Sequence, residues 1–180
     1  LDPELDEARR RERLAILQVP ALIEPFLRQL DQLREGGYYR RLDETGRRRL
    51  QVLLPRLLRA VARVPNAEAA LSRVLHVIER IGGRTVYLAL LNENAVARER
   101  LFELCAHSQF LSDQIAAFPL LLDGLLDDRL FDTTPTRAEL AVELRNRMAN
   151  CAVDATEEQV EALRQCQRAA MFRIAVPDLT

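Results

Sequence analysis

Leu50, Leu53, Leu54, Leu57, Leu58 and Val61 stand at i, i+3, i+4, i+7, i+8 and i+11. Only a helix turns all six to one side, because residues three and four apart share a face at about 3.6 residues per turn. Leu71, Val74, Leu75, Ile78 and Ile81 repeat the pattern after Pro65-Asn66, where Asn66 can act as N-cap. Gly82-Gly83 reads as the C-cap of that helix. Thr85 to Glu93 and Ala95 to His107 read as two successive helices, with Asn94 as the break between them. No run alternates Val, Ile or Thr with polar residues for long, so strands are not expected. The class is all-α: a helical bundle followed by two further helices.

Those two helices lie beyond Asp127 to Pro135, where the periodicity fails and turn formers gather. Thr136 and Glu139 have capping-box spacing for a helix carrying Leu140, Leu144 and Met148 on one face. A second break from Asn150 to Thr156 precedes a helix with Val160, Leu163, Ala170 and Ile174 expected inward and Pro177 as its stop.

Composition narrows the class. Hydrophobic residues at 48% and charged residues at 29% favour neither disorder nor a membrane protein. No apolar run approaches the roughly 20 residues of a spanning helix. The start at Leu1, without a basic-then-apolar leader, reads as that of an internal fragment. Residues 1–64 hold 14 Arg against 10 acids and residues 65–180 hold 12 against 17, too mild an asymmetry to indicate nucleic acid. Cys105, Cys151 and Cys166 are odd in number and form no C-x-x-C pair, which suits a reducing cytoplasm, with Cys105 as a small core residue.

Catalytic chemistry is sparse. Metal-assisted chemistry on phosphates needs paired carboxylates to hold a divalent cation against phosphate oxygens. Gly82-Gly83 followed by Asn92-Glu93-Asn94 supplies one acid where two are required, on a segment of helical period. Asp123, Asp127, Asp128 and Asp132 read as a solvated helix end, and no metal site is expected. His76 and His107 lack ligand spacing, and His107 would favour a helix C-terminus. The candidate interaction surface is Tyr38, Tyr39, Arg40, Arg41, Arg47 and Arg84, which mixes aromatic and guanidinium groups. An acidic protein surface suits it better than nucleic acid, which calls for more net positive charge.

Several segments resemble one family in order along the chain: Tyr39-Arg40-Arg41-Leu42, Thr45-Gly46-Arg47 and Leu53-Leu54-Pro55-Arg56-Leu57-Leu58. Gly83-Arg84, Tyr87 to Leu91, Leu101 to Cys105, Ser108 to Leu111 and Pro119 to Asp123 continue the match, and Ala162 to Gln165 with Arg173-Ile174-Ala175 complete it. They resemble the central region of the bifunctional glutamine synthetase adenylyltransferase/adenylyl-removing family. Ala95 stands where relatives often have Pro, and Gly124 where an acid is common. The resemblance implies that residues 1–128 are a central regulatory or linker domain and residues 135–180 the first helices of a C-terminal adenylylating domain. It also implies parent enzymes that use ATP and Mg²⁺, act on glutamine synthetase and respond to glutamine and the PII signal protein. This fragment would itself hold no cofactor or active site and would contact the flanking catalytic domains, neither nucleic acid nor membrane being a partner. A free-standing helical adaptor is the alternative.

Overall fold

The computed structural model describes residues 7–15, 20–64, 66–81, 84–127, 129–152 and 154–177, so Pro65 and Gly82-Gly83 lie outside the described residues. Among the described residues every regular element is a helix. The chain divides into two compact units, Leu1–Leu122 and Asp123–Thr180.

The first unit holds α1 (Glu7–Ala15), α2 (Pro20–Glu35), α3 (Gly37–Arg41), α4 (Glu44–Val61), α5 (Ala67–Ile81), α6 (Thr85–Glu93), α7 (Ala95–His107) and α8 (Gln109–Ala117). The two leucine-rich stripes explain its core. Leu50, Leu53, Leu54, Leu57, Leu58 and Val61 are all buried on α4. Leu71, Val74, Leu75, Ile78 and Ile81 are buried on α5, joined by Ala67, Ala70 and Val77. Burial on three sides makes α5 the centre of the unit: it packs against α2, α4, α7 and α8, while α4 also packs against α6. Removing one of these leucines would leave a cavity and cost about 2–5 kcal/mol.

The junctions are short because single polar residues close two helices at once. The Asn94 N–H donates to the Leu90 carbonyl at the end of α6 (2.8 Å), and its side chain accepts from the Ala97 N–H at the start of α7 (2.9 Å). Ser108 does the same between α7 and α8, donating to Leu104 O (2.9 Å) and accepting from Leu111 N–H through Oγ (3.2 Å). The bounds of α6 and α7 therefore match the sequence expectation.

Arginines close other helix ends. Arg56 and Arg98 donate to the carbonyls of Asn92 and Leu91 at the C-terminus of α6, and Arg73 to those of Cys105 and Ala106 at the end of α7. A guanidinium is favoured there because the last carbonyls lack partners and carry the negative end of the helix dipole. Burial, and then the charge of Arg56, pulls the Arg98 pKa below the usual arginine range.

The division between the units falls within α9 (Leu121–Gly124), and the second unit contains α10 (Arg129–Asp132), α11 (Arg137–Ala149) and α12 (Thr156–Ala175). The Thr136 capping box forms: Thr136 Oγ1 accepts from Glu139 N–H (3.3 Å), and Glu139 Oε2 accepts from Thr136 N–H (2.7 Å). The Thr136 N–H and hydroxyl hold the Glu139 carboxyl below its ordinary pKa. Glu143 accepts from Arg147 (3.1 Å) along α11 and from Arg173 (2.8 Å) across to α12.

The inward face expected for α12 needs correction. Val160, Leu163 and Ile174 are 39%, 44% and 40% exposed, and Ala170 is half-buried. The buried positions are Phe172 and Val176. The stripe at 160, 163, 170 and 174 is only half covered because α11 is the principal neighbour of α12 within this unit. A small groove between the pair, about 210 Å³, is lined by Leu140, Leu144, Leu163, Cys166 and Ala170 among others.

Candidate interaction surface

The arginine-rich end of the first unit is built by a close sequence of turns. The Gly36 N–H donates to Gln32 O (2.9 Å) at the end of α2, and Gly36 is the N-cap residue of α3. A side chain at Gly37 would begin 3.0 Å from the Arg41 guanidinium, so this glycine leaves space for Arg41 to lie back over the backbone. After Leu42, Asp43 caps α4 by accepting from the Gly46 N–H (2.7 Å).

Gly46 carries the close approach of α4 to α6. A Cβ there would stand 3.2 Å from Thr85 Cγ2 and 3.0 Å from both Leu42 Cδ2 and Asp43 Oδ1. Arg49 fastens the same contact by donating to Thr85 O (2.8 Å), and the Asn92 amide donates to Arg49 O (2.9 Å) farther along. The first turn of α4 and the first residues of α6 thus meet, which brings Arg84 to the end of the bundle that holds Arg40, Arg41 and Arg47.

Within this end the six sequence candidates have different placements. Tyr38 is 6% exposed, so it supports the surface from inside and offers no face to a partner. Its hydroxyl finds no hydrogen-bond partner among the described residues. Burial, and then the nearby Glu79 carboxylate, pushes its pKa up from 10.0 to about 12. Tyr39 is half-buried with the Arg47 guanidinium 5.5 Å from its ring centroid, a cation–π distance. Arg47 also donates to Arg40 O (3.3 Å). Arg40, Arg41, Arg47 and Arg84 are exposed, and among the described residues no carboxylate pairs with them. The neighbouring acids are engaged: Asp43 caps α4 and Glu44 pairs with Arg48 (3.6 Å).

Arg49, Arg56, Arg73 and Arg98 were not singled out from sequence. Each reaches a carbonyl 7 to 36 residues away, and no local spacing signals that. His107 ends α7 as expected, its Nδ1 within 2.8 Å of Glu103 O, and His76 is exposed. Cys105 is fully buried, and desolvation pushes its thiol up from 9.0 to about 12. Asp127 accepts from the Arg129 N–H (3.0 Å), Asp123 and Asp132 are exposed, and Asp128 lies outside the described residues. Among the described residues no three His, Cys, Asp or Glu side chains gather as a metal site, and no helix is long and apolar enough to cross a membrane.

Fold and surface together define a class: an all-helical module whose distinctive exposed feature is a cationic helix end. Residues 98–180 match the family model described as glutamate-ammonia ligase adenylyltransferase. The bifunctional glutamine synthetase adenylyltransferase/adenylyl-removing enzyme of Pseudomonas aeruginosa is 41% identical over 152 residues, which cover 84% of this chain and 16% of that enzyme. The enzyme of the same description from Pseudomonas putida is 40% identical over 154 residues (86% and 16%), and that from Shewanella oneidensis 40% over 152 residues (84% and 16%). The chain belongs to this adenylyltransferase family and matches a fragment of the enzyme. It spans about 16% of the length of the curated relatives it matches.

Proposed function

We propose that this chain is the central regulatory segment of a bifunctional glutamine synthetase adenylyltransferase. It relays signals from PII and glutamine between two flanking nucleotidyltransferase domains and does not itself transfer AMP. On this reading residues 1–128 form the central domain, and residues 135–180 lead into the adenylylating domain. The parent enzyme works in the cytoplasm, with ATP and Mg²⁺ at its catalytic domains and glutamine synthetase as its substrate.

The observation that carries the reading is the form of the Asn92-Glu93-Asn94 segment. Asn92 and Glu93 close α6, and Asn94 is the corner into α7. A metal-holding pair needs two carboxylates converging on one cation. Here a single exposed acid stands between two amides, and the Asn94 side chain is committed to capping a helix. A packed helical bundle also suits relay, because helices move as rigid bodies between discrete arrangements.

Calorimetric titration with PII, unmodified and uridylylated, with and without glutamine, tests the relay. Micromolar or tighter binding that depends on the modification is the expected result. Absence of a complex with either form would make the segment a spacer. Incubation with ATP, Mg²⁺ and glutamine synthetase tests the other half, and any AMP transfer above blank would contradict a non-catalytic role.

A further inference from the structure

We infer that the exposed guanidiniums of Arg40, Arg41, Arg47 and Arg84, gathered where α3, α4 and α6 meet, form a docking surface for a carboxylate-rich protein surface. The inference rests on the regulatory reading only for its biological setting; the geometry stands by itself.

Electrostatic placement is the first argument. Anionic groups are favoured at helix N-termini, where unpaired N–H groups carry the positive end of the dipole. α4 follows this rule, with Asp43 as its cap and Glu44 in its first turn, whereas α6 does the opposite. Arg84 occupies the N-cap position of α6, where no side chain caps the helix and no acid stands in the first turn. Arg47 and Arg48 follow one turn into α4, whose N-terminus lies against that of α6 through Gly46 and Thr85. The α6 end, uncapped by any side chain, therefore shares one region with several guanidiniums and with the α4 end, which Asp43 and Glu44 serve. Among the described residues only Glu44 pairs with one of these guanidiniums, at 3.6 Å from the exposed Arg48. Like charges gathered with few opposing carboxylates oppose folding, and such local conflicts belong at functional sites.

Elsewhere the same residue type is used differently. Arg49, Arg56, Arg73 and Arg98 spend their donors on backbone carbonyls, and Arg147 and Arg173 on Glu143. Of the four exposed guanidiniums, Arg47 donates to Arg40 O and lies over the Tyr39 ring, and among the described residues none of the four meets a carboxylate. They remain available for the bidentate bonds that arginine makes with carboxylates.

The tyrosines decide between protein and nucleic acid. Binding to single strands relies on aromatic faces open to stacking. Tyr38 is buried and Tyr39 carries Arg47 over its ring, so neither presents a free face. The unit that carries the surface holds 19 Arg against 16 acids, an excess too small for the long-range field that a polyanion selects. A carboxylate surface, read by discrete pairs, is the occupant that matches.

The test uses a short labelled polyglutamate peptide, with a single-stranded oligonucleotide of matched charge beside it. Their binding to the chain is followed by fluorescence anisotropy. Arg40→Glu with Arg41→Glu, and separately Arg47→Glu with Arg84→Glu, should each weaken peptide binding by about ten-fold or more. Arg59→Glu with Arg63→Glu makes the same charge change at the other end of α4 and should leave it within about two-fold. Circular dichroism of each variant should match the parent, and any variant that loses helicity is replaced by its Arg→Gln counterpart. Equal losses in patch and control variants, no measurable peptide binding, or tighter binding of the oligonucleotide would each overturn the inference. The PII titration is scored separately. A modification-dependent PII complex that tolerates the patch reversals would leave the relay standing and remove this surface.

Discussion

At the scale of single residues, Gly46 and Cys105 show how little of a residue's role lies in its type. Glycine in a helix is ordinarily a weakness, and replacement by Ala would gain about 1 kcal/mol of propensity. At Gly46 the added carbon would press on Leu42, Asp43 and Thr85 together, at 3.0 to 3.2 Å. We expect Gly46→Ala to destabilise by about 1–2 kcal/mol through loss of the Asp43 cap and separation of α4 from α6, read as a lowered urea midpoint at unchanged slope. The Cys105 thiol and Tyr38 phenol share an alkaline signature. Burial raises them from 9.0 and 10.0 to about 12 each, so above pH 9.0 the unfolded chain releases protons that the folded chain keeps. Their contribution to stability is complete below that pH and is lost as pH rises toward 12. A stability–pH profile should therefore decline across this window. Tyr38→Phe should flatten the upper part of the decline and change stability at neutral pH by less than about 1 kcal/mol, because the hydroxyl it removes has no hydrogen-bond partner among the described residues.

At the scale of elements, sequence periodicity was a good guide wherever a helix has neighbours on several sides. The stripes of α4 and α5 were legible for that reason, and so were the junctions at Asn94 and Thr136, where side-chain chemistry acts within three residues. The face of α12 was not, because a pattern of apolar residues records what a helix could bury, whereas actual burial depends on its neighbours. Val160, Leu163 and Ile174 lie on such a stripe and remain about two-fifths exposed. Pro55 is the reverse case. It stands inside α4, where it deprives Gln51 of its i+4 donor, yet the helix continues to Val61 because the flanking leucines are fully engaged. Since Pro55 is itself exposed, Pro55→Ala should restore that hydrogen bond without disturbing the core. The expected gain is about 1–3 kcal/mol, visible as a higher thermal midpoint. No change would mean that the backbone around Pro55 already offsets the missing donor.

At the scale of the whole molecule, the two units differ in both charge and core. Residues 1–122 hold 19 Arg against 16 acids, and residues 123–180 hold 7 against 11, so a net charge of −1 conceals a basic unit and an acidic one. This is why bulk charge said little about the arginine surface, which only the packing of α3, α4 and α6 assembles. In the second unit the buried hydrophobic residues among those described are Leu125, Phe172 and Val176, while the first has a core drawn from all eight of its helices. Residues 1–122 expressed alone should unfold in one cooperative transition, whereas residues 123–180 alone should show weak helicity and a broad melt. A sharp independent transition of the shorter piece would contradict this. Asn94 and Ser108 have a mechanical consequence for the larger unit. Each is at once the last word of one helix and the first of the next, so α6, α7 and α8 form a jointed strut with no slack at its corners. A push on Arg84 cannot be absorbed by a yielding loop along this path; it must turn α6 as a lever and arrive at α8 as a change of angle.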